Sequence, residues 1–150
     1  AFSSYAGIDD ALYDGLEKDI YQTNSIRIWD GDKLIATGIF DVGQTAVASI
    51  LHFYDPAYAS YSLGKYLMLL TIDYMKRRGY TLYYPGYVVR GNPRFDYKLF
   101  LGKEAGYYYD ADAETWKPFT DSLLTTITST KPAEQELLPT ITTIPQFPGN

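Results

Sequence analysis

The chain has 150 residues, 46% of them hydrophobic, which suits one domain with a sizeable core. A net charge of −5 argues against indiscriminate nucleic-acid binding. The absence of cysteine excludes a disulfide framework, a thiolate zinc site and a cysteine nucleophile, and a single histidine excludes a histidine-rich metal site. No apolar run reaches the roughly 18 residues of a membrane span, and no signal-peptide pattern opens the chain. We therefore expect no metal, no membrane association and a cytoplasmic location.

Charge and aromatic residues are unevenly distributed along the chain. Between Lys65 and Lys103 there are eight basic and two acidic residues, a net charge of +6 inside an acidic chain. Thirteen of the sixteen tyrosines fall between Tyr54 and Tyr109. Basic groups interleaved with aromatic rings suit a polyanion with stackable bases, such as a single-stranded RNA end or a nucleotide. A tyrosine-rich core with Lys and Arg stems lying along it explains the same composition equally well.

The first elements predict a helix followed by an antiparallel meander. The helix spans 9–20, with Asp9 as its cap and its leucines on one stripe. Strands over 25–30 and 34–41 flank an Asp-Gly-Asp turn, which is a strong hairpin signal. A third strand over 45–54 ends before Pro56, because proline has no N–H for the ladder.

A second helix is predicted over 62–78. Ser62 is a plausible N-cap and Gly79 a plausible stop. The basic residues of the last turn complement the negative end of the helix dipole, an interpretation that we prefer to an RNA contact. Apolar residues form two faces, so we expect this helix to be covered on both sides.

The remaining chain predicts strands and a tail. A strand over 81–89 contains Pro85-Gly86, which marks a bulge or a place where another backbone or a ligand comes close. Residues 97–101 are strand-like, and 104–118 supply the last strand and a terminal hairpin. Beyond residue 119 the composition shifts to Thr, Ser and Pro, which predicts a domain over 1–129 and an extended or disordered tail over 130–150.

This order of elements is that of an N-acetyltransferase-like α/β fold: a mixed sheet with an antiparallel meander, a central helix, a splayed parallel strand pair and a terminal hairpin. The third strand, the helix and the next strand form a right-handed β-α-β unit. The two strands should part after Asp55-Pro56 and open a V beside the helix N-terminus, whose free N–H groups attract anions and carbonyls. We therefore expect the site around Tyr54, Asp55 and residues 62–65.

The helix start argues against coenzyme A. Acetyl-CoA members of this fold carry Gln or Arg, two residues, Gly, one residue, then Gly or Ala, so that backbone N–H groups can approach the pyrophosphate. Here the same positions hold Tyr61, Gly64 and Tyr66, and only Gly64 matches. We therefore expect no cofactor, and keep an acyl-CoA-dependent N-acyltransferase as the alternative.

Four short blocks follow one another along the chain: Phe53-Tyr54-Asp55-Pro56, Ser62-Leu63-Gly64, Tyr84-Pro85-Gly86-Tyr87 and Asp96-Tyr97-Lys98. Together they resemble the C-terminal domain of the arginyl-tRNA protein transferases and of their bacterial leucyl or aspartate/glutamate-directed relatives. The match covers roughly residues 28–103, and four blocks in order are more specific than any one alone. Pro85 stands where that family commonly has Leu, and the family's cysteine-rich N-terminal region is absent from these residues.

The resemblance implies an aminoacyltransferase whose partners are an aminoacyl-tRNA and a protein N-terminal peptide. Amine attack on the tRNA ester needs a group that deprotonates or positions the amine, donors for the oxyanion, and a groove for the 3′ adenosine. We predict Tyr54 and Asp55 as the catalytic residues. Substrate and tRNA contacts are predicted at Ser62, Leu63, Gly64, Lys65, Tyr87, Tyr97 and Lys98.

Each assignment has a structural alternative. Asp55 before proline is more often a turn former, and Tyr54 and Tyr87 are more often packed rings with a satisfied hydroxyl. Lys98 could pair with Asp96. In an alternating strand His52 lies opposite Phe53, and we assign it to the core or surface rather than to a base. A non-catalytic binding module is the third hypothesis.

Overall fold

The computed structural model describes residues 22–89, 92–123 and 137–143. They form a seven-stranded mixed sheet with one long helix packed against it. The helix predicted over 9–20 lies outside these residues. No helix within the described ranges is long and apolar enough to cross a membrane.

The antiparallel meander is confirmed. Strand β1 (Gln22–Asp30) pairs with β2 (Lys33–Val42), and β2 pairs with β3 (Ala46–Tyr54). The hairpin turn between β1 and β2 has Gly31 at φ 56°, a conformation that glycine adopts without strain. In β3 one residue is extra: Leu51 pairs with Ile39 and Ser49 with Phe40, which leaves Ile50 as a β-bulge.

Helix α1 (Leu63–Arg78) ends at Gly79, as predicted, with Gly79 at φ 79°. Ser62 occupies the predicted N-cap position, but it has φ 54° and its hydroxyl caps no N–H. The expectation that the helix is covered on both sides is wrong, because Tyr66 and Leu69 are about half exposed. The buried stripe faces the sheet and consists of Leu63, Leu67, Met68, Thr71 and Met75.

The main core lies between α1 and the middle of the sheet. Phe40 from β2, Val47 from β3 and Tyr83 from the next strand pack with Met68 and Met75 of the helix. All five are almost completely buried. This cluster fixes the helix over the point where β3 meets its parallel neighbour.

Strand β4 (Leu82–Val89) runs parallel to β3, as the β-α-β unit predicts. The two strands pair only over 46–48 and 82–84, and then separate. The splay was expected after Asp55-Pro56, so it begins earlier than predicted. The causes are local: Pro85 cannot donate to the ladder, Gly86 has φ 97°, and the bulge at Ile50 bends β3.

After β4 the chain forms a 3-10 helix, which was not predicted, and then a hairpin, which was. Residues 97–101, expected to be strand-like, belong to a 3-10 helix, Pro93–Leu101, which begins where the Asn92 side chain accepts a hydrogen bond from the Arg94 N–H. The terminal hairpin is present as β5 (Gly106–Asp110) and β6 (Thr115–Pro118).

Strand β7 (Leu137–Thr143) lies between β4 and β5 and pairs antiparallel with both. It falls within the segment predicted to be an extended or disordered tail over 130–150, and outside the domain predicted over 1–129. These seven residues therefore belong to the sheet, which extends past residue 129. Pairing on both edges satisfies the strand's backbone, a long-range effect that a Thr- and Pro-rich composition does not reveal.

Candidate active site

The separation of β3 and β4 opens a cleft beside the start of α1. Two adjoining cavities, of about 250 and 340 Å³, occupy it, and both are lined by His52 and Tyr97. The first extends between residues 49–52 of β3 and residues 85–87 of β4, as far as Lys98. The second extends from Tyr54 to residues 62–65 at the helix start. The cleft therefore joins the splayed strands to the helix N-terminus.

The helix start offers hydrogen-bond donors to the second cavity. The Ser62 carbonyl accepts from the N–H groups of Lys65 and Tyr66, at 3.0 and 3.2 Å. Within the described part of the chain, the N–H groups of Leu63 and Gly64 have no acceptor. The first turn carries no acidic side chain, so these donors and the positive end of the helix dipole remain available to an anion or a polarised carbonyl.

The approach to the helix start is open. Tyr61 is 70% exposed and Tyr66 48% exposed, and neither lines the cavity at the helix start. A Cβ on Gly64 would meet no heavy atom within 4 Å, so the backbone here is accessible. Lys65 lines the same cavity with its Nζ 5.6 Å from the Phe100 ring centroid.

Lys98 is fixed at the other end of the cleft. Its Nζ donates a hydrogen bond to the Tyr87 carbonyl at 2.9 Å, and burial lowers the pKa of Lys98. The same Nζ lies 3.1 Å from where a Cβ on Gly86 would stand. Pro85-Gly86 is therefore a break in strand pairing, as predicted, and also the place where the Lys98 side chain approaches the backbone, whereas the sequence predicted the approach of another backbone or a ligand.

Asp55 lies outside the lining of both cavities. Its carboxylate pairs with Lys33 at 2.6 Å and accepts from the Ala57 N–H at 2.9 Å, which caps the 3-10 helix Pro56–Tyr61. The hydrogen bond from Lys33, followed by that from Ala57, lowers the pKa of Asp55. These contacts are those of a turn former. The other eight predicted site residues all line the cleft: Tyr54, Ser62, Leu63, Gly64, Lys65, Tyr87, Tyr97 and Lys98.

Two polar residues of the cleft, Ser49 and His52, were missed as site candidates. The Ser49 hydroxyl lies 2.6 Å from the Tyr83 hydroxyl and 3.4 Å from Nε2 of His52. Burial raises the pKa of Tyr83 to about 12, and burial, together with the Lys98 charge, lowers the pKa of His52. Strict alternation would put Ser49 and His52 on opposite faces. The bulge at Ile50, which has no sequence signal, puts them on the same face.

A solved structure shares the fold. The chain is similar to the ribosomal-protein-S18-alanine N-acetyltransferase from Escherichia coli, with a TM-score of 0.55, 17% identity, and coverage of 89% of this chain and 74% of that one. This likeness confirms the predicted N-acetyltransferase-like fold.

Sequence relatives are more specific. The chain is 34% identical over 100 residues to "Arginyl-tRNA--protein transferase 1" of Drosophila melanogaster, which covers 63% of this chain and 20% of the relative. It is 36% identical over 89 residues to "Aspartate/glutamate leucyltransferase" of Hyphomonas neptunium, which covers 59% of this chain and 33% of the relative. The chain spans between a fifth and about a third of the length of these two relatives.

The family described as "Arginine-tRNA-protein transferase, C terminus" matches residues 6–105. The match contains the four sequence blocks, the cleft and the whole of α1. Because it covers well over half of the chain, the resemblance seen in the sequence is confirmed, and the chain belongs to the arginine-tRNA-protein transferase C-terminal family.

Proposed function

We propose that this domain forms the acyl-transfer site of an aminoacyltransferase, which moves an amino acid from aminoacyl-tRNA to the α-amino group of a protein N-terminus. Membership of the family supports this function. The observation that carries it is the open helix start, where the unpaired N–H groups of Leu63 and Gly64 border a cleft that also holds Lys65.

The reaction is attack of a neutral amine on an ester carbonyl. A bond forms between the amine nitrogen and the carbonyl carbon, negative charge develops on the carbonyl oxygen, and the bond to the ribose oxygen breaks. Fixed N–H donors at a helix N-terminus stabilise such an oxyanion without having to reorganise. Leu63 and Gly64 supply two donors of this kind within one turn.

The rest of the cleft suits the 3′ end of a tRNA. Lys65 and Lys98 are point charges for its phosphates, at opposite ends of the cleft. Tyr54 and Tyr87 are about half exposed, and together with Tyr97 they present rings on which a terminal adenine can stack. Charged tRNA as donor makes the cytoplasm the expected location.

Tyr54 and Asp55, the two predicted catalytic residues, have different roles in this proposal. Tyr54 lines the cavity at the helix start, where its hydroxyl can relay a proton or orient the ester. Asp55 acts indirectly: its contacts with Lys33 and Ala57 hold the 3-10 helix that leads into α1.

The test offers the full-length protein a set of tRNAs charged with radiolabelled amino acids, and acceptor peptides with acidic or basic N-terminal residues. We expect label to move to the α-amino group of at least one peptide. Acetyl-CoA with the same peptides should give no product. A protein that transfers nothing from any charged tRNA, or that acetylates the peptides, would contradict the proposal.

A matched pair of variants locates the tRNA contact. Lys65→Met should weaken binding of charged tRNA and reduce the slope of log affinity against log salt by about 1, because one phosphate contact is lost. Lys76→Met, at the other end of the same helix, serves as the control and should leave the slope unchanged. Equal slopes for Lys65→Met and the wild type would place the phosphates elsewhere.

A further inference from the structure

His52, the single histidine of the chain, stands where the two cavities of the cleft meet. Its position depends on backbone features. The bulge at Ile50 turns it to the same face as Ser49, and it pairs across the sheet with Gly38 of β2. A Cβ on Gly38 would lie 3.2 Å from Cδ2 of His52 and 3.3 Å from Cδ2 of Leu67. The imidazole therefore fills the space that the glycine leaves.

The hydroxyls beside the ring contact one of its two nitrogens. Nε2 lies 3.4 Å from the Ser49 hydroxyl, which in turn lies 2.6 Å from the buried Tyr83 hydroxyl. With its pKa raised to about 12, Tyr83 stays protonated and can donate to the Ser49 oxygen, which keeps a second lone pair for an N–H at Nε2. A proton on Nε2 can then be donated to Ser49. Nδ1 has no hydrogen-bond partner in the described ranges, so in this tautomer its lone pair is free.

The chemistry of the lining singles out His52. Amine attack needs a base in the cleft, yet no carboxylate lines either cavity within the described residues. The tyrosines there present phenol O–H groups, which relay a proton rather than keep one, and burial raises the pKa of Tyr97. Lys65 is a cation, and Lys98 uses its N–H to hold the Tyr87 carbonyl. The imidazole of His52 is the remaining side chain that can accept a proton.

We propose that His52 is a catalytic residue, which accepts a proton from the attacking α-amine and returns it to the leaving ribose oxygen. This step rests on the proposed aminoacyl transfer. The neutral amine bonds to the ester carbon and its nitrogen gives one proton to Nδ1. When the bond from that carbon to the ribose oxygen breaks, the imidazolium protonates that oxygen. No proton is gained or lost over the cycle, and no other co-reactant is needed.

The surroundings keep the imidazole in the basic form that this role requires. The groups that face it are Ser49 on its own strand, Tyr83 of β4, Tyr97 and Lys98 of the 3-10 helix Pro93–Leu101, and Tyr54 and Lys65 around the second cavity. The pKa of His52 is lowered below its ordinary value of 6.5, mainly by burial and secondly by the positive charge of Lys98. The side chain is therefore neutral near pH 7.

The experiment compares kcat/KM of the full-length wild type and His52→Gln between about pH 5 and about pH 8. Near pH 7.5 the variant should be slower by about 100-fold or more, the usual contribution of a general base. As the pH falls through the pKa of His52, the ratio of wild type to variant should fall toward 1. Protonation of the acceptor amine affects both proteins equally and cancels in this ratio.

An NMR titration gives a second readout that does not depend on activity. The imidazole resonance that is missing from His52→Gln should titrate below about 6.5, at the pH where the activity ratio falls. Lys98→Met should raise the pH midpoint of the His52 NMR titration and the pH midpoint of the activity change, because a positive charge next to the imidazole is removed. Asp73→Asn, in an exposed ion pair with Arg77 on α1, is the control and should change neither.

The outcomes separate this inference from the proposed function. A His52→Gln protein with wild-type activity, or a ratio that does not vary with pH, overturns the role of His52 alone. A wild type that transfers nothing from any charged tRNA overturns the proposed function first. If His52→Gln does not fold, the test compares the wild type with Lys98→Met. The proposal is overturned if the substitution does not shift the pH midpoint of activity and the midpoint of the His52 NMR titration by the same amount.

Discussion

Strands β3 and β4 are paired for three residues and then diverge. The paired half and the separated half differ in burial and in the kind of side chain that they carry. In the paired half, Val47 and Tyr83 are completely buried beneath Met75 of α1. In the separated half, β3 carries Ser49, His52 and Tyr54 into an open cleft. One pair of strands thus supplies both the core and the site.

The difference shows how the fold separates stability from chemistry. Apolar burial holds α1 over the paired half, at about 25 cal/mol for each Å² of apolar surface removed from water. The separated half keeps polar and aromatic groups half exposed, because the proline, the positive-φ glycine and the bulge prevent the strands from closing. Met68 belongs to both regions: it packs in the core and also lines the cleft.

The largest expected effect is on the paired half. Met75→Ala removes a fully buried side chain that lines neither cavity of the cleft, and it should lower the free energy of unfolding by about 2–5 kcal/mol. Met75→Leu, which keeps the volume, should cost less than about 1.5 kcal/mol. Urea unfolding measures both, and transfer activity per folded molecule should stay unchanged. A loss of activity in folded Met75→Ala would show that the two halves are not independent.

A smaller effect is expected where the cleft meets the sheet. Gly38→Ala pushes a methyl group against His52 and Leu67 and should cost about 1–3 kcal/mol of overpacking. Displacement of the imidazole should also reduce kcat/KM, by up to about 100-fold. The matched control is Gly43→Ala, whose Cβ would make only an ordinary 3.7 Å contact with the Ala46 carbonyl. If Gly38→Ala and Gly43→Ala had the same stability and the same kcat/KM, the space beside Gly38 would not be what positions His52.

The smallest expected effect is a coupling energy of about 1 kcal/mol across the hydrogen bond that joins the two halves. Ser49→Ala leaves the buried Tyr83 hydroxyl without its partner and should cost about 1–3 kcal/mol, whereas Tyr83→Phe removes that hydroxyl and should cost less. The double variant should therefore be more stable than the sum of the single losses implies, by about 1 kcal/mol. Additive losses in urea unfolding would mean that the bond contributes nothing to stability.

The sequence was most informative where the signals are local. The turn at Gly31 and the end of α1 at Gly79 were placed correctly, because each depends on a positive φ that glycine adopts readily. The end of β3 was also correct, since Pro56 follows at once. Eight of the nine predicted site residues share the cleft because they lie in or next to short blocks of one β-α-β unit and of the turn that follows it.

Long-range pairing explains the misses. Strand β7 was interpreted as a tail because its partners, β4 and β5, lie far away in the chain. Only residues 97–101 are strand-like in the sequence, whereas in the structure the 3-10 helix that begins at Pro93 continues through Leu101. Asp55 was expected in the cleft, but Lys33, on the neighbouring strand β2, holds its carboxylate.

The sequence by itself determined the family, the order of the elements and the stretch that carries the site, because turns, caps and short motifs are encoded by residues close together in the chain. Tertiary structure alone decided where β3 and β4 part and that His52 faces Ser49 and the cleft. A bulge moves every later side chain to the opposite face of the strand, and it arises from pairing with a neighbouring strand.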